Sequence, residues 1–381
     1  MQTNWRSFKF IDNAERAAFI WLSAVPGIGR SALHKLMYTR IKHNHDFGLY
    51  LGTKGHIYAK SILSENQIQS IKKYQIEHKS ESFEAQLLEQ GIQPITIFDD
   101  NYPDWLKQTD DPPLVLYYKG PLELMAFQRW IAIVGTRRMT SYGKQATEYL
   151  VSDLVAYGWG VVSGAMYGID TAAHRACLDA GGKTLAVLGY GFGHTPNSAA
   201  PLITSILATG GGILSEFPPE IPAKPGHFPL RNRIVAGLSQ AVVVVEAAKK
   251  SGSHITAQCG LDAGLVVAAV PGPITSPYSQ GTTWLLNQGA VCIGSAADLL
   301  SELHLTPGKK SEEKQQSRSS FPFGPRSLER KIYDMLLTQP CSTQVLASQL
   351  AVPVAQLITV LSTLEIAGFI DRTDTMWSIV L

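Results

Sequence analysis

Three cationic clusters carry the chemistry this sequence offers, and two of them sit beside glycine or serine. Between Phe217 and Ala257 a proline-rich loop leads to Arg231-Asn232-Arg233, then to the apolar run Ala241–Val245, Glu246 and Lys249-Lys250-Ser251-Gly252-Ser253. Gly135-Thr136-Arg137-Arg138 lies upstream, at the end of another apolar run. Guanidinium forks match phosphate geometry, and a glycine-containing helix start adds backbone donors and the positive end of a helix dipole. Arg231 and Arg233 flank Asn232 at an expected helix start, and Ser251-Gly252-Ser253 leads into a helix expected over 255–263. Each cluster alone is equally a solvated surface charge, Lys249-Lys250 above all. Their convergence around buried strands is what argues for a polyanion site.

Other chemistries fit these residues less well. A dinucleotide-binding turn needs G-x-G-x-x-G between the first strand and its helix. Gly135 to Gly143 lacks the glycine that lets a pyrophosphate approach and carries two arginines instead, while Gly189-Tyr190-Gly191-Phe192-Gly193 runs into His194-Thr195-Pro196 where a helix should open. Hydrolase chemistry has Ser163, Asp170, His174, Ser253 and His254 near strand ends, but no G-x-S-x-G elbow. Asp170 is expected to cap a helix and His174 to satisfy it internally. No His, Cys, Asp or Glu cluster has ligand spacing, so no metal and no other cofactor is expected.

The elements that must position these groups are legible from hydrophobic pattern. After Trp130, apolar runs recur at Ile131–Val134, Val161-Val162, Thr184–Leu188, Ile213-Leu214, Ala241–Val245, Val266–Val270 and Val291–Ile293, separated by helix-length segments. Continuous β-branched runs without polar alternation are strands buried on both faces, and strands alternating with helices form parallel βαβ units. The expected fold is α/β: an extended Rossmann-like, doubly wound, mostly parallel sheet, with its ligand beyond the carboxyl ends of the strands. Pro94–Phe98 and Leu114–Tyr118 read as two further strands.

At 381 residues, with 45% apolar and 17% charged residues, the chain has room for more than one globular domain. Net charge is only +2, so nucleic-acid binding must rest on clustering. We expect a small helical domain over 1–85, an extended Rossmann-like domain over 86–305, a flexible polar linker over 306–325, and a small C-terminal domain over 326–381. In the first, Val25-Pro26-Gly27-Ile28-Gly29 joins two helices in helix-hairpin-helix fashion. That turn is either a phosphate cradle or a tight turn between packed helices. The last domain reads as helix, helix-turn-helix and hairpin, a winged-helix module. Its third helix, from Pro353 to Glu365, holds no Lys or Arg, so protein contact is preferred over DNA contact. The four cysteines form no C-x-x-C pair, Met1–Arg6 is followed by no signal-peptide apolar region, and no run approaches membrane-spanning length. A cytoplasmic location without membrane contact is expected.

With these residues in place, the sequence resembles the DNA-processing protein A (DprA/Smf) family. The resemblance is carried by Ile131–Arg137, Ser163-Gly164 with Gly168–His174, Gly182-Lys183-Thr184 with Ala186–Gly189, Leu214–Pro218, Arg231–Leu238, Val245–Ala248 with Ser251-Gly252-Ser253, and Val270-Pro271-Gly272. It implies a non-catalytic protein that binds and protects single-stranded DNA in a basic pocket, forms homodimers through the Rossmann-like domain, and helps load RecA recombinase in natural transformation. The residues it marks for phosphate are Gly135, Thr136, Arg137, Ser163, Gly164, Lys183, Arg231, Asn232, Arg233, Lys249, Ser251, Gly252 and Ser253. Tyr167, Phe192 and Phe228 are expected to stack on bases.

Three departures from the family pattern stand out. Tyr167 and Leu230 occupy positions that are commonly basic, and His194-Thr195-Pro196-Asn197 is a shortened segment. Tyr167 offers a stacking surface in place of a charge. The alternative is a nucleotide-processing enzyme of the phosphoribohydrolase type using Glu246. Its P-G-G-x-G-T-x-x-E pattern is absent, since Gly281-Thr282-Thr283 lacks both the glycines and the glutamate.

Overall fold

The structure, a computed structural model, describes residues 8–43, 46–50, 60–305, 327–373 and 375–379. The chain forms two compact units that divide at residues 307 and 308. The expected linker over 306–325, the N-terminal Met1–Arg6 and Val380 of the expected last strand lie outside the described residues.

The first unit begins with helices α1 (Asn13–Ala24), α2 (Arg30–His43), α3 (Glu65–Glu77) and α4 (Ser80–Glu89). Asp12 caps α1 by accepting from the Glu15 backbone, and Ser64 with Gln67 forms a capping box on α3. Leu22, Val25, Ile28, Leu33 and Leu36 are all buried, as their spacing predicts. The buried carboxylate of Glu15 is matched by the Arg40 guanidinium. These helices pack directly on the sheet. Ser23 shares a 2.8 Å hydrogen bond with the Tyr117 hydroxyl, and Arg16 donates to Asp99 at 2.7 and 3.1 Å.

There follow β1 (Gln93–Thr96), α5 (Asp104–Lys107), β2 (Val115–Lys119), β3 (Trp130–Val134), α6 (Ser141–Ala156), β4 (Gly160–Ser163), α7 (Ile169–Asp179), β5 (Thr184–Leu188), α8 (Ala200–Ala208) and β6 (Gly212–Ser215). After them come α9 (His227–Gly237), β7 (Ala241–Val244), α10 (Ser253–Asp262), β8 (Val266–Ala269), α11 (Gln280–Asn287), β9 (Val291-Cys292) and α12 (Ala296–Glu302). The strands make one nine-stranded sheet in the order β1-β2-β6-β5-β4-β3-β7-β8-β9. Pairings from β6 through β9 are parallel, while β1 and β2 are antiparallel additions at one edge. β3, β4, β5 and β7 are buried along their whole length, which is why their sequences show no polar alternation. The chain winds outward from β3 through β4, β5 and β6, then returns to pair β7 on the other side of β3. That reversal puts the topological switch point between β3 and β7.

The second unit contains α13 (Leu328–Thr338), β10 (Cys341-Ser342), α14 (Thr343–Leu350), α15 (Val354–Ile366), β11 (Ile370–Thr373) and β12 (Met376–Ile379). The three strands are antiparallel in the order β10-β12-β11. Ile332, Leu346, Leu357, Leu361, Leu364 and Trp377 form its core. Ser342 caps α14 through the Val345 backbone, and Trp377 donates to Thr343 at 2.9 Å. Among the described residues no single helix is long and apolar enough to cross a membrane; α14 and α15 pass that test only together, across a 115° bend.

Candidate nucleic-acid interface

A cavity of about 520 Å³ opens at the switch point, beyond the carboxyl ends of β3, β4 and β7. Its lining includes Gly135, Thr136, Arg137 and Arg138 after β3, Gly164 and Met166 after β4, Asp170 on α7, Phe228, Arg231 and Asn232 on α9, and Lys250 through Ser253 before α10. Four cations therefore face one carboxylate, Asp170. A surface with that imbalance attracts a polyanion.

Arg231 forms the floor. It is 2% exposed, and its guanidinium donates to the carbonyl of Val187 in β5. Burial pushes its pKa down to about 10, with nearby Asp170 acting in the opposite sense, so it remains charged at neutral pH. Glycine at 164 is required by this arrangement, because a methyl group there would collide with the guanidinium. Asp170 is pushed the other way: burial raises it to about 6 against the pull of Arg231. The two remain a coupled cation and acid at the base of the cavity.

Arg137 forms the facing wall. The Thr136 N–H donates to the Glu246 carbonyl at 2.7 Å, which fixes the end of β3 to the end of β7. The Arg137 guanidinium lies 5.7 Å from the centre of the Phe228 ring, so an aromatic face and a cation are presented together. Gly168 has φ +80, and any side chain there would collide with the Thr136 carbonyl. Opposite, Asn232 donates to the Gly252 carbonyl at 3.3 Å, tying α9 to the Ser251-Gly252-Ser253 turn. The Ser251 and Ser253 hydroxyls are 2.8 Å apart.

Of the expected phosphate-binding residues, the structure brings together Gly135, Thr136, Arg137, Gly164, Arg231, Asn232, Ser251, Gly252 and Ser253, along with Phe228. The others lie elsewhere. Arg233 is bound to Glu216 at 2.5 and 2.7 Å and to Asp111 at 3.5 Å, so its charge is already matched inside the protein. Lys183 precedes β5 at its amino end, the opposite end of the sheet, and covers the Phe127 ring at 4.3 Å. The Ser163 hydroxyl is buried and donates to the Ile133 carbonyl at 2.7 Å. Lys250, not Lys249, lines the cavity. Phe192 lies near Lys119, 5.3 Å from its ammonium, and Tyr167 is 57% exposed beside the lining residue Met166 without lining it.

Two local expectations are corrected. The Arg231-Asn232-Arg233 segment is the middle of α9, not its start, because the helix already begins at His227. A helix places successive residues 100° apart, which explains why Arg231 and Arg233 leave on different sides. Asp170 lies inside α7 after the cap residue Gly168, and His174 pairs with the Thr184 hydroxyl at 2.7 Å instead of with Asp170. Burial holds His174 down at about 3, so it stays neutral. Glu246 does not line the cavity; its carboxylate accepts from the backbone and hydroxyl of Thr140 at 2.9 and 2.6 Å, at the head of α6. Met166, Asp170, Pro225, Pro229 and Tyr278 also line the cavity without having been expected there, and Arg138 joins Arg137 from the same cluster. Proximity to a strand end was the available signal for Asp170.

The family model for DNA recombination-mediator protein A matches residues 93–304. The chain belongs to that family. The matched span contains every residue that lines the cavity and begins just after α4. Among its relatives, the DNA processing protein DprA of Bacillus subtilis (strain 168) is 45% identical over 215 residues, 56% of this chain and 72% of that protein. Protein Smf of Escherichia coli (strain K12) is 37% identical over 278 residues, 71% of this chain and 72% of that protein. The crystal structure of DprA from Streptococcus pneumoniae matches with TM-score 0.64 and 32% identity, covering 76% of this chain and 98% of that one. A structure of DNA processing protein A from Helicobacter pylori, described for its single-stranded DNA binding mode, matches with TM-score 0.50 and 31% identity over 56% of this chain and 96% of that one. Of the Gly-Thr-Arg and Arg-Asn-Arg segments, all three residues of the first but only Arg231 and Asn232 of the second line the cavity. Tyr167 and Leu230 do not line this cavity.

Proposed function

We propose that this chain binds single-stranded DNA in the cavity between β3 and β7, protects it, and helps load RecA recombinase during transformation and recombination. The observation that carries this reading is the facing of Arg137, Arg138, Arg231 and Lys250 against the single carboxylate of Asp170, with Phe228 beside Arg137. Cations take phosphates and the ring takes a base, a combination that suits a strand whose bases are free and not a duplex whose bases are stacked inside. The single-stranded DNA described for the Helicobacter pylori relative supports it.

The reading is non-catalytic and cytoplasmic, with a homodimer formed through the Rossmann-like domain. The second unit serves as a winged-helix module for protein contact, since α15 carries no Lys or Arg that would meet phosphate. The phosphoribohydrolase alternative needs a free carboxylate in the cavity. Glu246 is 2% exposed and occupied by Thr140, which gives that alternative no support.

Competition between single- and double-stranded oligonucleotides of one sequence tests the proposal. Single strands should displace a labelled single strand at far lower concentration than duplex does. Equal competition by duplex would refute it.

A further inference from the structure

A second cavity, also of about 520 Å³, lies across the start of α9 from the first. The two share that segment as a wall: Pro225, Phe228 and Arg231 line the first, while Lys224, His227 and Leu230 line the second. The far wall is the turn Val25–Gly29 between α1 and α2, so the N-terminal helices complete a cavity against the sheet domain. Pro26, Ile28, Pro218, Ile221 and Leu230 supply apolar surface. Phe217 and His227 stack, with ring centroids 4.3 Å apart and planes 18° from parallel. Burial and neighbouring Lys224 lower the pKa of His227, which leaves it an uncharged aromatic platform at neutral pH.

The charge on this lining has one sign to spare. Among the described residues Glu216 is its only carboxylate, and Arg233 already holds it. Arg30 is bonded to Asp111 at 2.7 Å, and Lys224 stands exposed on the shared wall. Gly226, between Pro225 and His227 on this segment, adds no side chain, and a Cβ built there would meet nothing within 4 Å.

We propose that the second cavity takes a flanking nucleotide of the same strand that occupies the first, with Lys224 against a phosphate and a base on the Phe217–His227 stack. The inference rests on reading the first cavity as the strand site. Two features select a strand over an apolar peptide here: the shared α9 wall, which sets this cavity beside the first, and a cation on that wall. The glycine turn between α1 and α2 then serves as the cover of a nucleotide site.

Fluorescence anisotropy on the full chain with oligothymidylates of increasing length tests this. The wild-type affinity should step upward once a strand is long enough to reach from the first cavity to the second. Combined Lys224→Glu and Leu230→Glu should abolish the step, lowering long-strand affinity about tenfold, while the shortest strands bind as before and so report an intact fold. Lys224→Ala, a change at an exposed position, should shrink the step in the same direction. An unchanged step, as a peptide-binding cavity would give, or a loss equal at all lengths overturns the proposal. Arg137→Ala should weaken every length; if it does not, the first cavity's reading fails, independently of the step.

Discussion

Arg231 and Arg233 share a motif, a helix and a charge, yet packing gives them separate tasks. Arg231 lines the first cavity with Asp170, and Arg233 neutralises Glu216, whose pKa burial raises even with that partner present. Arg233→Ala should therefore act on stability. Removing one member of a largely buried pair costs about 3 kcal/mol, read as a lowered denaturation midpoint, with strand affinity retained in the folded protein. A large affinity loss at unchanged stability would contradict this division.

Asp170 gives the cavity a pH response. With its pKa raised to about 6, the carboxyl is charged above that value and neutral below it. Arg231, the charged group acting on it, stays protonated over the same interval, and His174 and Tyr190, which neighbour Arg231, do not titrate there: His174 is neutral down to about 3 and Tyr190 is pushed up to about 12. Strand affinity should rise as pH falls from 7 to 5, by roughly fivefold for one removed negative charge near phosphate. Asp170→Asn should flatten that profile, which titration at several pH values would check. At this scale the sequence was partly readable. Residue type and motif pointed to Arg137 and Arg231, which the fold brings to one cavity, but the pairing that removes Arg233 depends on Glu216 and Asp111, which are distant in the chain and meet only in the fold.

Elements set the cavity by where they end. β3 and β7 stop side by side, and the Thr136–Glu246 backbone hydrogen bond fixes the two turns that carry Arg137 and Lys250. Gly168 lets the start of α7 press against the Thr136 carbonyl. Gly168→Ala meets both an unfavourable φ and a collision, so it should destabilise the protein by about 2 kcal/mol or more and weaken strand binding by displacing Arg137. Thermal unfolding together with anisotropy would show both effects; a variant as stable as wild type would refute the strain argument. The strands themselves were legible, since each buried run had β-branched composition and uniform apolarity. Helix starts were less so. α9 begins at His227 without a side-chain cap, which left its first turn unmarked in the sequence and shifted the expected position of its arginines.

For the whole molecule, a net charge of +2 conceals a local concentration of cations at one point of a nine-stranded sheet. The winding order explains the location, because the reversal between β3 and β7 gathers loops from both directions over the same strand ends. The N-terminal helices pack on β2 and extend the surface next to that point through the glycine turn. Periodicity along the chain announced the α/β sheet, whereas the second cavity was hidden, since its two walls lie near residues 25 and 225. The central claim is electrostatic: a strand is held by its phosphates against Arg137, Arg138, Arg231 and Lys250. The most direct test is single-strand affinity across a salt series for wild type and Arg137→Ala. For three or four neutralised phosphates, log affinity should fall against log salt with a slope of about −2 to −3, and the variant's slope should be shallower by about 0.7. An affinity insensitive to salt, or a slope that Arg137→Ala leaves unchanged, would contradict the account.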